Sequence, residues 1–306
     1  MTVSATALAS PLTAARAALR RPAPSLRDWA GWLLLLPAVA FLLAFFVLPA
    51  VTLFAYSILT QHADGTVSLP VTFNHFSHFF RESVYSHVLF DTLKMALATA
   101  ALAILLGYPV ALAMLRASPL GMRLMTIMLI APLIVSVVVR TYGWQLILAN
   151  SRSGVLNWIL MSLGIIDHPL RILYTQAAVV IASLHVFFPM MVLPLVSALA
   201  KIDPDVENAA RTLGAGAWST FRRVSLPLSL PGLAVGFTLV FSLTASSYVT
   251  PAILGGTNAQ MLGNLIEQQI TAVYDWPFGA TVAVVLVATV LAMNFVSGWI
   301  FERRRA

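Results

Sequence analysis

The chain has 306 residues, of which 59% are hydrophobic, 9% are charged and none is cysteine. A soluble domain carries about 25% charged residues, so an ordinary globular protein is excluded. The lack of cysteine excludes a disulfide framework and any thiolate ligand or nucleophile. The net charge of +7 raises the question of nucleic acid, which its placement answers below.

Residues 1–28 are rich in Ala, Pro and Arg and have little to bury, which predicts an unfolded tail. Six apolar segments follow, each able to hold the ~20 residues that cross a bilayer. They run Trp29–Ile58, Val88–Leu115, Leu124–Leu148, Leu173–Ala200, Leu233–Thr250 and Phe278–Ile300. The first is too long for a cleaved signal and is read as retained. Pro109, Pro132, Pro189 and Pro194 lie inside spans, where neighbouring helices can re-satisfy the backbone. This predicts an all-α membrane protein with six transmembrane helices. Residues 29–87 form the first span and outer loop, 88–300 the main transmembrane domain and 301–306 a basic tail.

Of the 18 Lys and Arg residues, thirteen fall on the side of the N-terminus. The positive-inside rule makes that side cytoplasmic, with both termini there. The positive charge is therefore topological, which argues against nucleic acid. Ser153–Ile165 is expected to form a short interfacial helix in the second outer loop. Asp91 and Lys94, three apart at the outer end of the second span, are expected to pair locally, with a substrate role as the alternative.

Several intramembrane polar residues are candidates for a translocation path. Arg140 serves either a gate or a snorkelling contact. His185 either lines the path or bonds a neighbouring helix. Thr244, Ser246, Ser247 and Tyr248 form a polar cluster that lines a path or packs helices. Gly232 and Gly236 make a Gly-x-x-x-Gly packing signal. The methionines, Met190 and Met191 among them, read as lipid-facing or core filler. His75 and His78 lack the closed ligand set of a metal site, so no metal is expected.

The longest polar interruption runs from Lys201 to Gly232. Asp203 precedes Pro204 as a helix N-cap, and Asp205 and Glu207 favour the first turn. Val206, Ala209, Ala210 and Leu213 form an apolar stripe. Gly214 is expected to stop the helix with positive φ. A second helix follows over Ala217–Val224, and Pro227 and Pro231 are expected to break the chain before the next span. Such short helices need a surface to pack on. From spacing alone that surface is either the protein's own membrane face or a partner's groove.

The run Asn208-Ala209-Ala210-Arg211-Thr212-Leu213-Gly214, followed by Leu226-Pro227, resembles the EAA loop of ABC-importer membrane subunits. The resemblance covers roughly Phe90 to Ile300 and implies a type I, MetI-like permease fold. Asn208 stands at the family's Glu position. Glu207, one residue earlier, is rotated by about 100° on a helix. The family implies a bacterial inner-membrane complex with a second permease subunit, two cytoplasmic ATPase subunits and an external solute-binding protein. The chain lacks a Gly-x-x-x-x-Gly-Lys phosphate loop, so ATP is assigned to the partner and no cofactor to this chain. The coupling residues carried over are Asp203, Glu207, Asn208, Ala209, Ala210, Gly214, Leu226 and Pro227.

Three stretches are similar to spermidine/putrescine permeases: Arg140–Trp144, Tyr248–Gly256 and Asp275-Trp276-Pro277. Polyamine members often carry an acid just before the second stretch, where this chain has Thr244-Ala245-Ser246-Ser247-Tyr248. A related solute, such as an opine or amino-acid derivative, is the alternative. A membrane-embedded transferase is a different class of reading, but the acids Asp64, Glu82, Asp167, Glu267 and Asp275 are scattered. A passive channel is a third, and would need no ATPase socket.

Overall fold

The computed structural model describes the backbone of residues 26–303 and side chains from Leu34 to Phe301. Most of the tail assigned to 1–28, and residues 304–306 of the basic tail, lie outside the described residues. The chain divides into two compact units, residues 1–53 and 54–306. The first carries helix α1 (Leu26–Leu42), a π-helical turn and the start of α2 (Leu48–Tyr56).

The second unit opens on a two-stranded hairpin, β1 (Thr60–Gln61) with β2 (Val67–Ser68), and α3 (Asn74–Arg81). Its turn uses Gly65 at φ 84°. Asp64 accepts from the Thr66 N–H and hydroxyl at 3.0 and 2.7 Å. These bonds hold its carboxyl below the usual Asp value. Then come α4 (Ser83–Arg116), α5 (Pro119–Ile134), α6 (Val137–Ile147) and the short α7 (Val155–Ser162), which meets the expectation of a helix in that loop. They are followed by α8 (Gln176–Leu199), α9 (Pro204–Thr212), α10 (Ala217–Thr220) and α11 (Leu226–Ala245). The chain closes with α12 (Val249–Leu254), α13 (Leu262–Gln268) and α14 (Trp276–Arg303).

Five helices among the described residues are long and apolar enough to cross a membrane. The third expected span is not one straight helix. It breaks between Ile134 and Val137, and α5 and α6 meet at 102°. Neither half spans the ~30 Å hydrocarbon core alone at 1.5 Å per residue.

The fifth span also differs from its expected bounds. Pro227 and Pro231 do not break the chain: helix runs from Ala217 to Ala245. A π-helical turn at Phe221–Ser225, just before Pro227, provides the wider turn that a missing donor allows. The true break comes later, at Ser246–Tyr248.

The core is the mutual packing of α4, α8 and α11, with α14 against α11. Helix α4 presents Ala96, Ala100, Ala103, Gly107 and Ala111 at helical spacing, and all five are buried. Met191 of α8, fully buried, fills the space between two of the facing helices. A Cβ on Gly107 would lie 3.0 Å from Met191 Cγ, and one on Gly236 would lie 2.6 Å from its sulfur. Met191 is thus core, not lipid-facing. Gly232 lies closer still: its Cβ would stand 2.5 Å from Ala198 Cβ and 2.7 Å from the Pro194 carbonyl oxygen. The Gly-x-x-x-Gly signal therefore marks a real close crossing of α11 on α8.

The hairpin clamps the start of α14. Gln61 donates to the Tyr274 carbonyl at 2.8 Å and accepts from the Trp276 N–H at 3.0 Å. Asp275 caps the Phe278 N–H at 3.0 Å. His78 packs its ring edge-on against Phe278 and Tyr85, whereas His75 bonds the Leu59 carbonyl.

Gly232→Ala should destabilise the protein by about 1–3 kcal/mol, because backbone cannot yield as a side chain can. Gly298→Ala, in open space on α14, should leave stability unchanged or raised. Thermal unfolding of the detergent-solubilised protein checks both.

Candidate functional site: the polar loop and the broken spans

The polar loop is a locked unit. Asp203 accepts the Asp205 N–H at 2.9 Å, and Pro204 opens α9, as the sequence predicts. At the other end Gly214 takes φ 85°. The Gly214 N–H bonds the Arg211 carbonyl at 2.9 Å and the Ala215 N–H bonds the Ala210 carbonyl at 3.0 Å. That pair of bonds is a Schellman stop.

Glu207 and Asn208 point to different surroundings, as their angular offset requires. Glu207 accepts from the buried Ser225 hydroxyl at 2.7 Å and so ties α9 to the π-helical turn. Its ion pair with Arg211, at 4.0 Å on the surface, adds at most about 0.5 kcal/mol. Asn208 is exposed, and its backbone carbonyl receives the Thr212 hydroxyl at 3.0 Å. The family's acidic position is thus displayed outward, and Glu207 is engaged within the loop.

Behind the loop runs a chain of rings. Trp218 stacks on Phe221 at 5.2 Å, and Phe221 stands edge-on to Tyr108 of α4 at 5.0 Å. Ser229 donates to the Leu226 carbonyl at 3.0 Å, which leaves the Tyr108 hydroxyl to donate to Ser229 at 2.9 Å. Leu226 and Pro227 are half-buried in this joint.

The apolar stripe does not pack on the protein's own face. Leu213 is 89% exposed and Trp218 72%. Val206 and Ala209 are exposed too, and only Ala210 is half-buried. Val206 and Leu228 line an open groove of about 640 Å³ between α8 and α11. The loop thus leaves most of its apolar face exposed on a capped base.

The six path candidates separate into three groups. Arg140 and His185 share a cavity of about 600 Å³ with Met128, Pro132, Gly143 and Trp144. Arg140 donates to the Pro132 carbonyl, one of the orphans left where α5 ends. Irregular backbone at this depth requires such a donor. His185 accepts from the Trp144 indole N–H at 3.2 Å, the helix-to-helix bond that was one of its two readings. Ser246 and Tyr248 are exposed at the break of the fifth span, with Ser247 half-buried between them. Thr244 is fully buried and bonds back to the Val240 carbonyl at 2.7 Å, so it faces packed core.

Sequence reasoning missed Asn264. Its side chain donates to the Tyr248 carbonyl at 2.8 Å and accepts the Met261 N–H at 3.2 Å, holding the break open. Thr92 was missed too: it accepts the Leu262 N–H at 2.9 Å, 170 residues away. The expected Asp91–Lys94 pair does not form. Among described residues the recorded ion pair is Glu207–Arg211.

Residues 101–305 match the family described as the inner membrane component of binding-protein-dependent transport systems. The chain belongs to this family. The permease is 32% identical to the spermidine/putrescine transport system permease protein PotB of Haemophilus influenzae, over 84% of this chain and 89% of that protein. It is 34% identical to PotB of Escherichia coli, over 81% and 89%. Its fold is similar to a chain of a bacterial alginate ABC transporter solved with a periplasmic protein. The TM-score there is 0.69 at 18% identity, covering 91% of this chain and 96% of that one. The chain is a multi-pass membrane transport subunit, which replaces the transferase reading.

Ser225→Ala and Glu207→Ala should each cost about 1 kcal/mol, and the double variant little more than either. Asn208→Ala should be neutral. Hydrogen exchange at residues 204–225 measures the cycle.

Proposed function

We propose that this permease moves a small polycationic solute, of the spermidine/putrescine type, into the cytoplasm. It acts as one of two membrane subunits beside two cytoplasmic ATPase subunits and an external solute-binding protein. The polar loop 201–231 is the cytoplasmic socket helix, and both termini lie on its side. The observation that carries this reading is the capped loop that exposes Val206, Ala209, Leu213 and Trp218. An amphipathic helix with its apolar face in water fits a partner's groove. With Asn208 at the acidic position, the contact rests on shape at Ala209, Ala210 and Gly214. The identity to PotB supports the polyamine class.

A carboxylate-bearing solute, such as an opine or other amino-acid derivative, is the second reading. One observation favours it: the cavity at the broken span holds Arg140, and no acid stands among Thr244–Tyr248.

Ala209→Glu should abolish co-purification of the ATPase subunit with the permease, as a buried unpaired charge at such an interface costs several kcal/mol. Undiminished co-purification overturns the socket. Uptake of labelled spermidine by the assembled complex, competed by putrescine but not by an opine, supports the first solute class. The reverse competition supports the second.

A further inference from the structure

A second polar pocket lies at the opposite end of α4 from the loop. Tyr108 marks the loop end through its bond to Ser229. Asp91 is about 26 Å away along the helix axis. The pocket, of about 320 Å³, has as its polar lining Ser83, His87 and Asp91 of α4 and Thr257, Asn258 and Gln260 after α12, with Val84 and Val88 beside them. It shares no lining residue with the Arg140–His185 cavity.

Among its hydrogen-bonding groups, free acceptors outnumber free N–H donors. Asn258 uses one of its two amide N–H groups on the Tyr174 carbonyl at 3.5 Å, and Gln260 one of its two on the Gln268 side-chain oxygen at 3.0 Å. Among the described residues nothing donates to their amide oxygens. His87 uses Nδ1 on the Ser83 carbonyl at 2.9 Å, which makes Nε2 an acceptor in the neutral ring. Asp91 is half-buried, and no described residue donates to or pairs with its carboxylate, Lys94 included. The remaining hydroxyls of Ser83 and Thr257 can take either role. The pocket therefore offers several acceptors and one negative charge, beside one spare N–H on each amide.

Its complement is a monovalent cation with several N–H donors. A divalent metal is a poorer fit, since the described residues hold no group of three or more His, Asp or Glu able to ligate one. We propose that this pocket is a primary-ammonium site at the outer mouth of the permease. The ammonium belongs either to the solute entering from the binding protein or to a lysine on that protein's docking face. The inference rests on the importer topology proposed above, and its first source on the polyamine reading.

The test uses the complete transporter in proteoliposomes, comparing wild type with Asp91→Asn, which keeps shape and removes charge. Two quantities are read: the binding-protein concentration that half-maximally stimulates ATP hydrolysis, and spermidine uptake at saturating binding protein. Basal ATP hydrolysis reports assembly, and Asp91→Glu should restore part of any loss. A roughly tenfold fall in uptake, with half-maximal concentration unchanged, assigns the site to the solute. A roughly tenfold rise in that concentration, with maximal uptake unchanged, assigns it to the docking lysine. Wild-type values for both quantities in Asp91→Asn overturn the site. A wild-type transporter that is stimulated by its binding protein yet takes up no spermidine overturns the polyamine reading instead, and the concentration comparison still judges the site.

Discussion

The fold depends on how closely three helices approach one another around Met191. In a bilayer, apolar side chains gain little by leaving lipid, so helix association rests on packing and on polar contacts. Gly107 on one side and Gly236 on the other leave the space that Met191 fills. The Ala ridge of α4 and the contact of Gly232 with Pro194 extend the same fit along the helices. These three helices also carry the polar loop. The polar loop joins α8 to α11, and Tyr108 of α4 carries the ring that supports it.

The loop's own geometry is fixed locally on that base. A capped start, a Schellman stop and the Glu207–Ser225 bond fix α9 against the beginning of α11. The π-helical turn lies at this joint, between the loop and the membrane-spanning part of the helix. Trp218 lies on helix that continues into α11, and the Glu207–Ser225 bond ties α9 to the same helix. Rigid-body movement of packed elements is the ordinary way a signal travels through such a joint.

Much of this was legible in the sequence wherever the determinants are local. Asp203-Pro204 and Gly214 act through their own turns and do what their chemistry predicts. Apolar run length located the spans, though it did not distinguish a straight helix from one bent by 102°. Pro132 lies within α5, before the break, whereas Pro227 and Pro231 sit inside continuous helix. Whether proline breaks a helix depends on which neighbour re-satisfies the carbonyl, and that neighbour is tertiary. The break at Ser246–Tyr248 is held by Asn264, and the hairpin is held by Gln61 reaching residues 274 and 276. No pattern within a window of the chain encodes those partners. The three stretches similar to polyamine permeases fall in α6, in α12 with its flanking breaks, and at the cap of α14. These are all places where a spanning helix starts, stops or is interrupted.

The central claim is that the exposed face of the loop is a socket for a separate ATPase chain. The permease has no cysteine, so a single introduced thiol reports one position without background. Leu213→Cys in the assembled complex should cross-link to the ATPase subunit with a short thiol reagent. Leu105→Cys, on an exposed apolar face of α4, should not. Cross-linking from position 105 but none from position 213 would contradict the account.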